Sequence, residues 1–455
     1  MSVRESRQPI PAAIERTIMH LKDSLSGALK RVEPTDVSIY ACGITPYSSA
    51  HVGHARTYVV FDLLKRVLTA QGHRVRLVRN ITDIDDKIIN TAKTAGVAWH
   101  ELSDKYAEEN RQLMRATGLD VPEEPKASEY LADMFWLMKQ LIGLGLAYVA
   151  STGDVLYRVS AYDGALLMPH KEGALRSEQG ATRVSTDGKE DLRDFALWKT
   201  TSRDEPGFES PWGWGRPGWH IECSAMIRAL FGGSVTIHGG GVDLKFPHHQ
   251  AEMMQSEPVF GRPLAEIWMH NGSVLSDGRK MSKSEGNFVT WQAALDSAEA
   301  LAPGLGGQLL SFALVQAHWQ KPLDWNDKLL ASTHADVLQL TQDLAGVVPG
   351  TADALIEVLA DNLNAPAGSF WLKQELKGGT PARLAAGLHF FGIDVDAWAR
   401  LPRSAAVSLS HTDIDDLQSQ RQQARAAKNW ALADEIRQRL NAHGVAVSDA
   451  PVAQL

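Results

Sequence analysis

The sequence predicts an α/β protein whose core is a parallel sheet, with an insertion inside the sheet domain and a helical C-terminal part. Three observations carry that expectation. A strand-helix-strand pattern occupies residues 37–81, the sheet domain resumes only near Trp219 with a strand at Ser234–His238, and past about residue 330 the chain becomes Ala- and Leu-rich with helical spacing and no internal repeat. At 455 residues, 44% hydrophobic and 22% charged, the composition is that of a soluble enzyme of several domains.

The N-terminal segment Met1–Leu25 is charged throughout and lacks the apolar centre of a secretory signal, which points to a reducing, cytoplasmic setting. Val37–Ala41 reads as a buried strand. A helix is expected from about His54 to Ala70, because Val59, Val60, Leu63, Leu64, Val67 and Leu68 recur at helical spacing and Gly72 supplies the stop. His73–Ile81 alternates and reads as a second strand, which makes the unit β-α-β and the sheet parallel. Pro122 and Pro125 punctuate the chain, and a helix over about 128–143 with the strand-like Asp154–Val159 marks 126–200 as the insertion. The longest apolar run, Leu141–Ala150, is about half a membrane span, so no membrane partner is expected. The sheet resumes near Trp219. Ser234–His238 then runs into Gly239-Gly240-Gly241-Val242-Asp243. Glycines past a strand end let backbone approach a ligand, and Asp243 can take ribose hydroxyls; a tight structural turn is the other reading. Asp413–Gly444 reads as a helical hairpin broken near Asn429.

Chemistry concentrates around the two cysteines, Cys42 and Cys223. Downstream of Cys223, Pro247 is followed by His248 and, at i+4, Glu252, which share a face if that segment is helical. Two thiolates, an imidazole and a carboxylate make a four-ligand zinc site. The bland readings are buried apolar fillers or a disulfide, and a reducing compartment disfavours the latter. Lys280-Met-Ser-Lys283-Ser284, between Gly278 and Gly286, reads as a mobile polyphosphate clamp or as a solvated loop. His51-Val-Gly53-His54 sits at a strand-to-helix turn, where a helix N-terminus favours anions. The net charge of −8 argues mildly against nucleic acid, although a local basic patch suffices. Arg421, Arg425 and Lys428, at i, i+4 and i+7, would form such a stripe or else a plain solvated face.

Taken together, Cys42–His54, Asn80–Lys87, Gly218–Cys223, Phe246–Glu252 and Lys280–Ser284 resemble the cysteinyl-tRNA synthetase family, with the HIGH-like and KMSKS motifs of class I aminoacyl-tRNA synthetases, over about Ile39 to His443. The resemblance implies a Rossmann-type catalytic domain (1–120 and 211–265) split by a connective insertion (121–210). A stem-contact domain (266–330), a helical bundle (331–403) and an anticodon-binding-like domain (404–455) would follow. It implies zinc on Cys42, Cys223, His248 and Glu252, and an amino-acid pocket lined by Gly43, Thr82 and Trp219. It further implies ATP held by Gly53, His54, Gly240, Asp243 and Lys283, and catalytic roles for His51, His54, Lys280 and Lys283. The chain departs from the family pattern in its tail, Val447–Leu455, and in Asp361–Pro366.

The implied reaction activates L-cysteine with ATP, accompanied by Mg2+, and passes it to the 3′ end of tRNA-Cys, in a protein expected to be a monomer. Zinc suits the task because serine differs from cysteine by one atom, which size alone discriminates poorly, whereas a borderline-soft metal prefers a thiolate. Two other readings use the same core. One is a cysteine:amino-sugar ligase of mycothiol synthesis; against it, a long chain follows Ser284. The other is a catalytically silent paralogue that binds tRNA or protein.

Overall fold

A computed structural model describes residues 18–168, 188–281 and 286–401, with scattered residues between 417 and 437. A short antiparallel pair, β1 (His20–Lys22) and β2 (Leu29–Arg31), precedes the central strand β3 (Asp36–Ile44). The β-α-β unit continues through α1 (Val52–Ala70) into β4 (Arg74–Ile81), and β3 pairs with β4 in parallel. Helix α1 begins two residues earlier than the apolar spacing indicates. His51 caps it, accepting the Gly53 N–H on Nδ1 at 3.0 Å, while His54 Nδ1 accepts the His51 N–H at 3.2 Å. Imidazoles here do what Ser or Asp ordinarily does at a helix start.

Two helices, α2 (Asp86–Ala95) and α3 (Trp99–Ala116), stand between β4 and the segment read as the insertion. The local signals for α2 are its cap, Asp85 Oδ1 accepting the Lys87 N–H at 2.7 Å, and Gly96 in the left-handed region at its end. Helix α4 (Leu131–Gly143) leads into an antiparallel sheet in the order β5 (Ala147–Val149), β6 (Val155–Tyr157), β7 (Phe195–Thr200), β8 (Gly215–Pro217).

The chain then returns through α5 (Trp219–Phe231), β9 (Val235–Gly241), α6 (His248–Phe260) and β10 (Ala265–Asn271). The parallel sheet runs β10-β9-β3-β4. Helix α1 packs against β4 and β9, while α5 and α6 join one apolar cluster with β3, α4 and the antiparallel sheet, centred on Trp198 and Trp268. The glycine run lies inside β9 and not past its end, because Gly239, Gly240 and Gly241 stay in register with Met269, His270 and Asn271 of β10. A Cβ at Gly239 would meet the Met269 carbonyl at 1.8 Å, so only glycine fits that strand position.

Beyond β10, β11 (Val274–Ser276), β12 (Arg279–Lys280) and β13 (Leu323–Trp325) form a small sheet in the order β12-β11-β13, with α7 (Trp291–Leu301) and α8 (Gly306–Leu314) between the last two in sequence. Helices α9 (Asp327–Leu340), α10 (Asp353–Ala360), α11 (Ala365–Gly378), α12 (Pro381–Phe390) and α13 (Val395–Arg400) follow, as the composition indicates. Packing divides the chain into Met1–Trp398 and Ala399–Leu455. Most of the expected 413–444 hairpin lies outside the described residues, Arg425 and Lys428 included. Arg421 is described and is 7% exposed, so it does not belong to a solvent-facing basic stripe. No described helix is long and apolar enough to cross a membrane.

Candidate active site

Strand order decides where the site forms. From β3 the chain winds to β4 on one side and later returns to β9 on the other, so a crevice opens at the carboxyl ends of β3 and β9. Cys42 and Gly43 lie in the last three residues of β3, Asn80 and Ile81 end β4 with Thr82 next in the chain, and His238 lies opposite Tyr40 in the middle of β9. The first turns of α1, α5 and α6 supply the rest.

Cys42 Sγ and Cys223 Sγ lie 3.9 Å apart as free thiols, so they form no disulfide. Two sulfurs bound to one tetrahedral zinc at about 2.3 Å are separated by about 3.8 Å. The pair fits that geometry. His248 Nε2 lies 2.9 Å from Glu252 Oε1, and one donor atom from each of the four residues falls within 4.8 Å of the others, all buried. A second set, Cys42, His238, His249 and Glu252, meets the same criterion and shares two members with the first.

Electrostatics favour a cation at the first set. Burial pushes the Cys42 thiol well above its usual range, with Cys223 and Glu252 acting the same way. Burial opposes ionisation of Cys223 too, but hydrogen bonding with Cys42 and His248 outweighs it and holds that thiol at about 6. Glu252 is held at about 2, since His238 and His248 overcome its burial, and His248 is lifted to about 10 chiefly by Glu252 against the same opposition. Ionisation is thus favoured at Cys223 and Glu252, and buried anionic donors suit a dication, which would take the place of the proton on His248. The surrounding histidines orient these donors. His238 bridges the Tyr40 carbonyl at 2.9 Å and Glu252 Oε2 at 2.7 Å, which turns Oε1 toward the sulfurs. His248 Nδ1 meets His220 Nδ1 at 3.0 Å, and His220 is held neutral first by burial and then by His248. His249 Nε2 sits 3.2 Å from Cys42 Sγ, with His270 behind it at 2.7 Å.

The residues expected to line an amino-acid pocket lie beside these donors. Trp219 is 38% exposed and stacks on His248 with centroids 4.3 Å apart, so it is a wall residue and not a core aromatic. Thr82 donates its hydroxyl to Glu222 Oε2 at 2.8 Å and accepts from Asn80 Nδ2 at 3.2 Å. Gly43 donates its N–H to Asn80 Oδ1 at 2.9 Å, and a Cβ there would strike the Asn80 carbonyl at 1.8 Å. A Cβ at Gly240 would meet Leu244 Cδ1 at 2.8 Å, with Cys42 and His249 next at 3.7 and 3.8 Å.

The histidines expected on the phosphate side lie at the start of α1. His51 and His54 stack at 3.9 Å, and their Nδ1 atoms accept backbone N–H groups, so each ring carries its proton on Nε2 as a donor. Burial, then His51, holds His54 well below the usual range and therefore neutral. Asp243 is exposed on the short helical turn Val242–Lys245 after β9, and Lys280 is exposed on β12. Lys283 lies outside the described residues. Sequence reasoning missed Asn80, Glu222, His238, His249 and His270; the one available signal was the i, i+3 spacing of Trp219 and Glu222.

A parallel sheet split at this crevice, with paired histidines at one helix N-terminus, defines the class I aminoacyl-tRNA synthetase catalytic fold. Methionyl-tRNA synthetase of Mycobacterium tuberculosis bound by methionyl-adenylate shares it, with a TM-score of 0.57 and 17% identity over 80% of this chain and 90% of that one. Residues 28–335 match the family described as tRNA synthetases class I (C) catalytic domain, and 411–454 match the cysteinyl-tRNA ligase anticodon binding domain. A cysteine–tRNA ligase of Parvibaculum lavamentivorans is 40% identical over 95% of this chain and 97% of its own, and one of Nostoc sp. is 36% identical over 93% and 95%. The chain belongs to the cysteinyl-tRNA ligase family.

Proposed function

We propose that this chain is a working cysteine–tRNA ligase that joins L-cysteine to ATP, releasing pyrophosphate, and then passes the cysteinyl group from the adenylate to a terminal ribose hydroxyl of tRNA-Cys. The observation that carries this reading is the convergence of Cys42, Cys223, His248 and Glu252 beside Thr82 and Trp219. Zinc held by those four residues supplies a borderline-soft centre that prefers the substrate's thiolate to a hydroxyl.

The chain's own residues do the rest. His51 and His54 present Nε2–H donors from an anion-favouring helix end, where charge accumulates as the cysteine carboxylate attacks the α-phosphorus. Lys280 and Lys283 follow the leaving pyrophosphate, with Mg2+ entering as part of the nucleotide. Gly53 admits backbone to the phosphates, Gly240 and Asp243 receive the ribose, and Gly43, Thr82 and Trp219 enclose the amino acid. The domain plan outlined from the sequence, action as a monomer and a cytoplasmic location belong to the same proposal.

The anticodon-domain match at 411–454 favours tRNA over an amino sugar as acceptor. A silent paralogue is disfavoured by the intact donor set. Cysteine-dependent exchange of pyrophosphate into ATP, followed by charging of purified tRNA-Cys, tests the reading. Exchange with no charging, but with transfer to an amino sugar, would reassign the acceptor; no exchange at all would sink the activity.

A further inference from the structure

Trp219, Glu222 and Cys223 occupy i, i+3 and i+4 of α5 and share one face. Glu222 is 1% exposed. Its Oε2 accepts the Thr82 hydroxyl at 2.8 Å, and among the described residues neither carboxylate oxygen meets a cation or a second donor. A carboxylate removed from water ordinarily has a positive partner. This one ends a chain of donors that all point the same way: Gly43 N–H to Asn80 Oδ1, Asn80 Nδ2 to Thr82 Oγ1, Thr82 Oγ1 to Glu222 Oε2. Thr82 has therefore committed its only proton to Glu222 and one lone pair to Asn80. Its remaining lone pair can only accept.

Under the cysteine-activating reading, on which this inference rests, the substrate brings three polar groups. The thiol goes to the metal donors and the carboxylate to the α-phosphorus. The α-ammonium is left, three bonds from the sulfur, and its receptor must lie close to Cys223. We infer that Glu222 is the counter-charge for the substrate's α-ammonium, and that Asn80 and Glu222 hold Thr82 as an acceptor for another of its N–H groups. Glu222 is a substrate-binding residue; Asn80 is a positioning residue that acts through Thr82. The ammonium completes the pairing of a carboxylate that Thr82 alone leaves half satisfied.

Three thiols separate this role from a structural one. L-cysteine carries ammonium and carboxylate, cysteamine the ammonium alone, and 3-mercaptopropionate the carboxylate alone. Their dissociation constants are measured by calorimetry on zinc-loaded wild type, Glu222→Gln and Glu222→Asp, with metal content checked in each. Glu222→Gln is expected to weaken L-cysteine and cysteamine about 10- to 100-fold, as for loss of a charged hydrogen-bond partner, with 3-mercaptopropionate unchanged within about twofold. Glu222→Asp, which keeps the charge, should recover part of the loss. Equal weakening of all three thiols, or unchanged L-cysteine binding, overturns the assignment. If Glu222→Gln fails to fold, the wild type decides: cysteamine must bind more tightly than 3-mercaptopropionate, and the reverse order overturns the proposal. Wild-type protein that binds none of the three overturns the cysteine-site reading itself, and this inference with it.

Discussion

Phe288 stands edge-on to His51, with ring centroids 5.4 Å apart. Around that contact Val52 donates its N–H to the Val289 carbonyl at 3.1 Å and Trp291 donates to Ala50 at 2.8 Å. Phe288–Trp291 therefore lies directly against the turn that presents His51 and His54. An aromatic pair of this kind contributes about 1 kcal/mol beyond its burial. Phe288→Ala should lower kcat for pyrophosphate exchange about fivefold and leave KM for cysteine within about twofold. An equal rise in KM would mean that the contact serves binding and not the phosphate chemistry.

Metal content follows from the four converging donors. Purified protein should hold about one zinc per chain, and Cys223→Ser should lose both the metal and the preference for cysteine over serine. His238→Ala removes the group that aims Glu252, and is expected to weaken zinc about 10- to 100-fold without abolishing it. Competition with a chromogenic chelator reads both. Retention of zinc by Cys223→Ser at wild-type affinity would shift the site to the set built on His238 and His249.

Lys283→Ala should depress adenylate formation about 100-fold, the size of effect seen when one preorganised charge contact is removed at a transition state. Affinity for cysteine should hardly change. Exchange kinetics equal to wild type would take Lys283 out of the reaction.

Asp86 ties α2 to the antiparallel sheet, with Oδ2 2.8 Å from Lys199 Nζ and Oδ1 2.7 Å from Arg216 Nη2. Burial raises its pKa, but the two cations outweigh burial and hold it below the usual carboxylate range. A depressed carboxyl contributes stability that is fully present above the unfolded value and lost as the pH falls through the folded one. Asp86→Asn should therefore cost about 2 kcal/mol at pH 7, less than a fully buried pair because Lys199 keeps access to water. Urea midpoints for the two proteins should draw together as the pH falls below the unfolded value and converge only once it is below the lower, folded one. A gap that persists there would trace the loss to packing.

Truncation after Leu401 keeps the first packing unit whole. Cysteine-dependent exchange should survive nearly intact, while transfer to tRNA-Cys should collapse. Full charging by the truncated protein would move tRNA recognition entirely upstream.

How much of this could be read from the sequence depended on whether a residue acts within its own element. His248 and Glu252 announce themselves, since Pro247 precedes them and i+4 spacing puts both on one face. The β-α-β unit follows from Val59–Leu68 and the alternation in His73–Ile81. His51 as a helix cap was harder, because imidazole is an uncommon cap and its donor, Gly53, is visible only once the turn is folded. His238, His270 and Asn80 were illegible for a different reason: their partners come from other elements or a neighbouring strand end, Tyr40 for His238, His249 for His270 and Gly43 for Asn80. Glu222 hid behind Cys223, whose chemistry draws attention first. The glycines of β9 were misplaced because a close neighbour across the sheet leaves the same mark as a loop.

Cys42 and Glu252 are 210 residues apart in the chain, yet their side chains meet. At about 5–20 residues per second, a ribosome needs roughly 10–40 s to travel from one to the other. For most of that interval, until Cys223 is made 181 residues after Cys42, the first thiol has no companion cysteine, and the four-donor set is complete only when Glu252 has been added. An ion held by all four donors would therefore be taken up late in synthesis, after the second half of the sheet domain has been made.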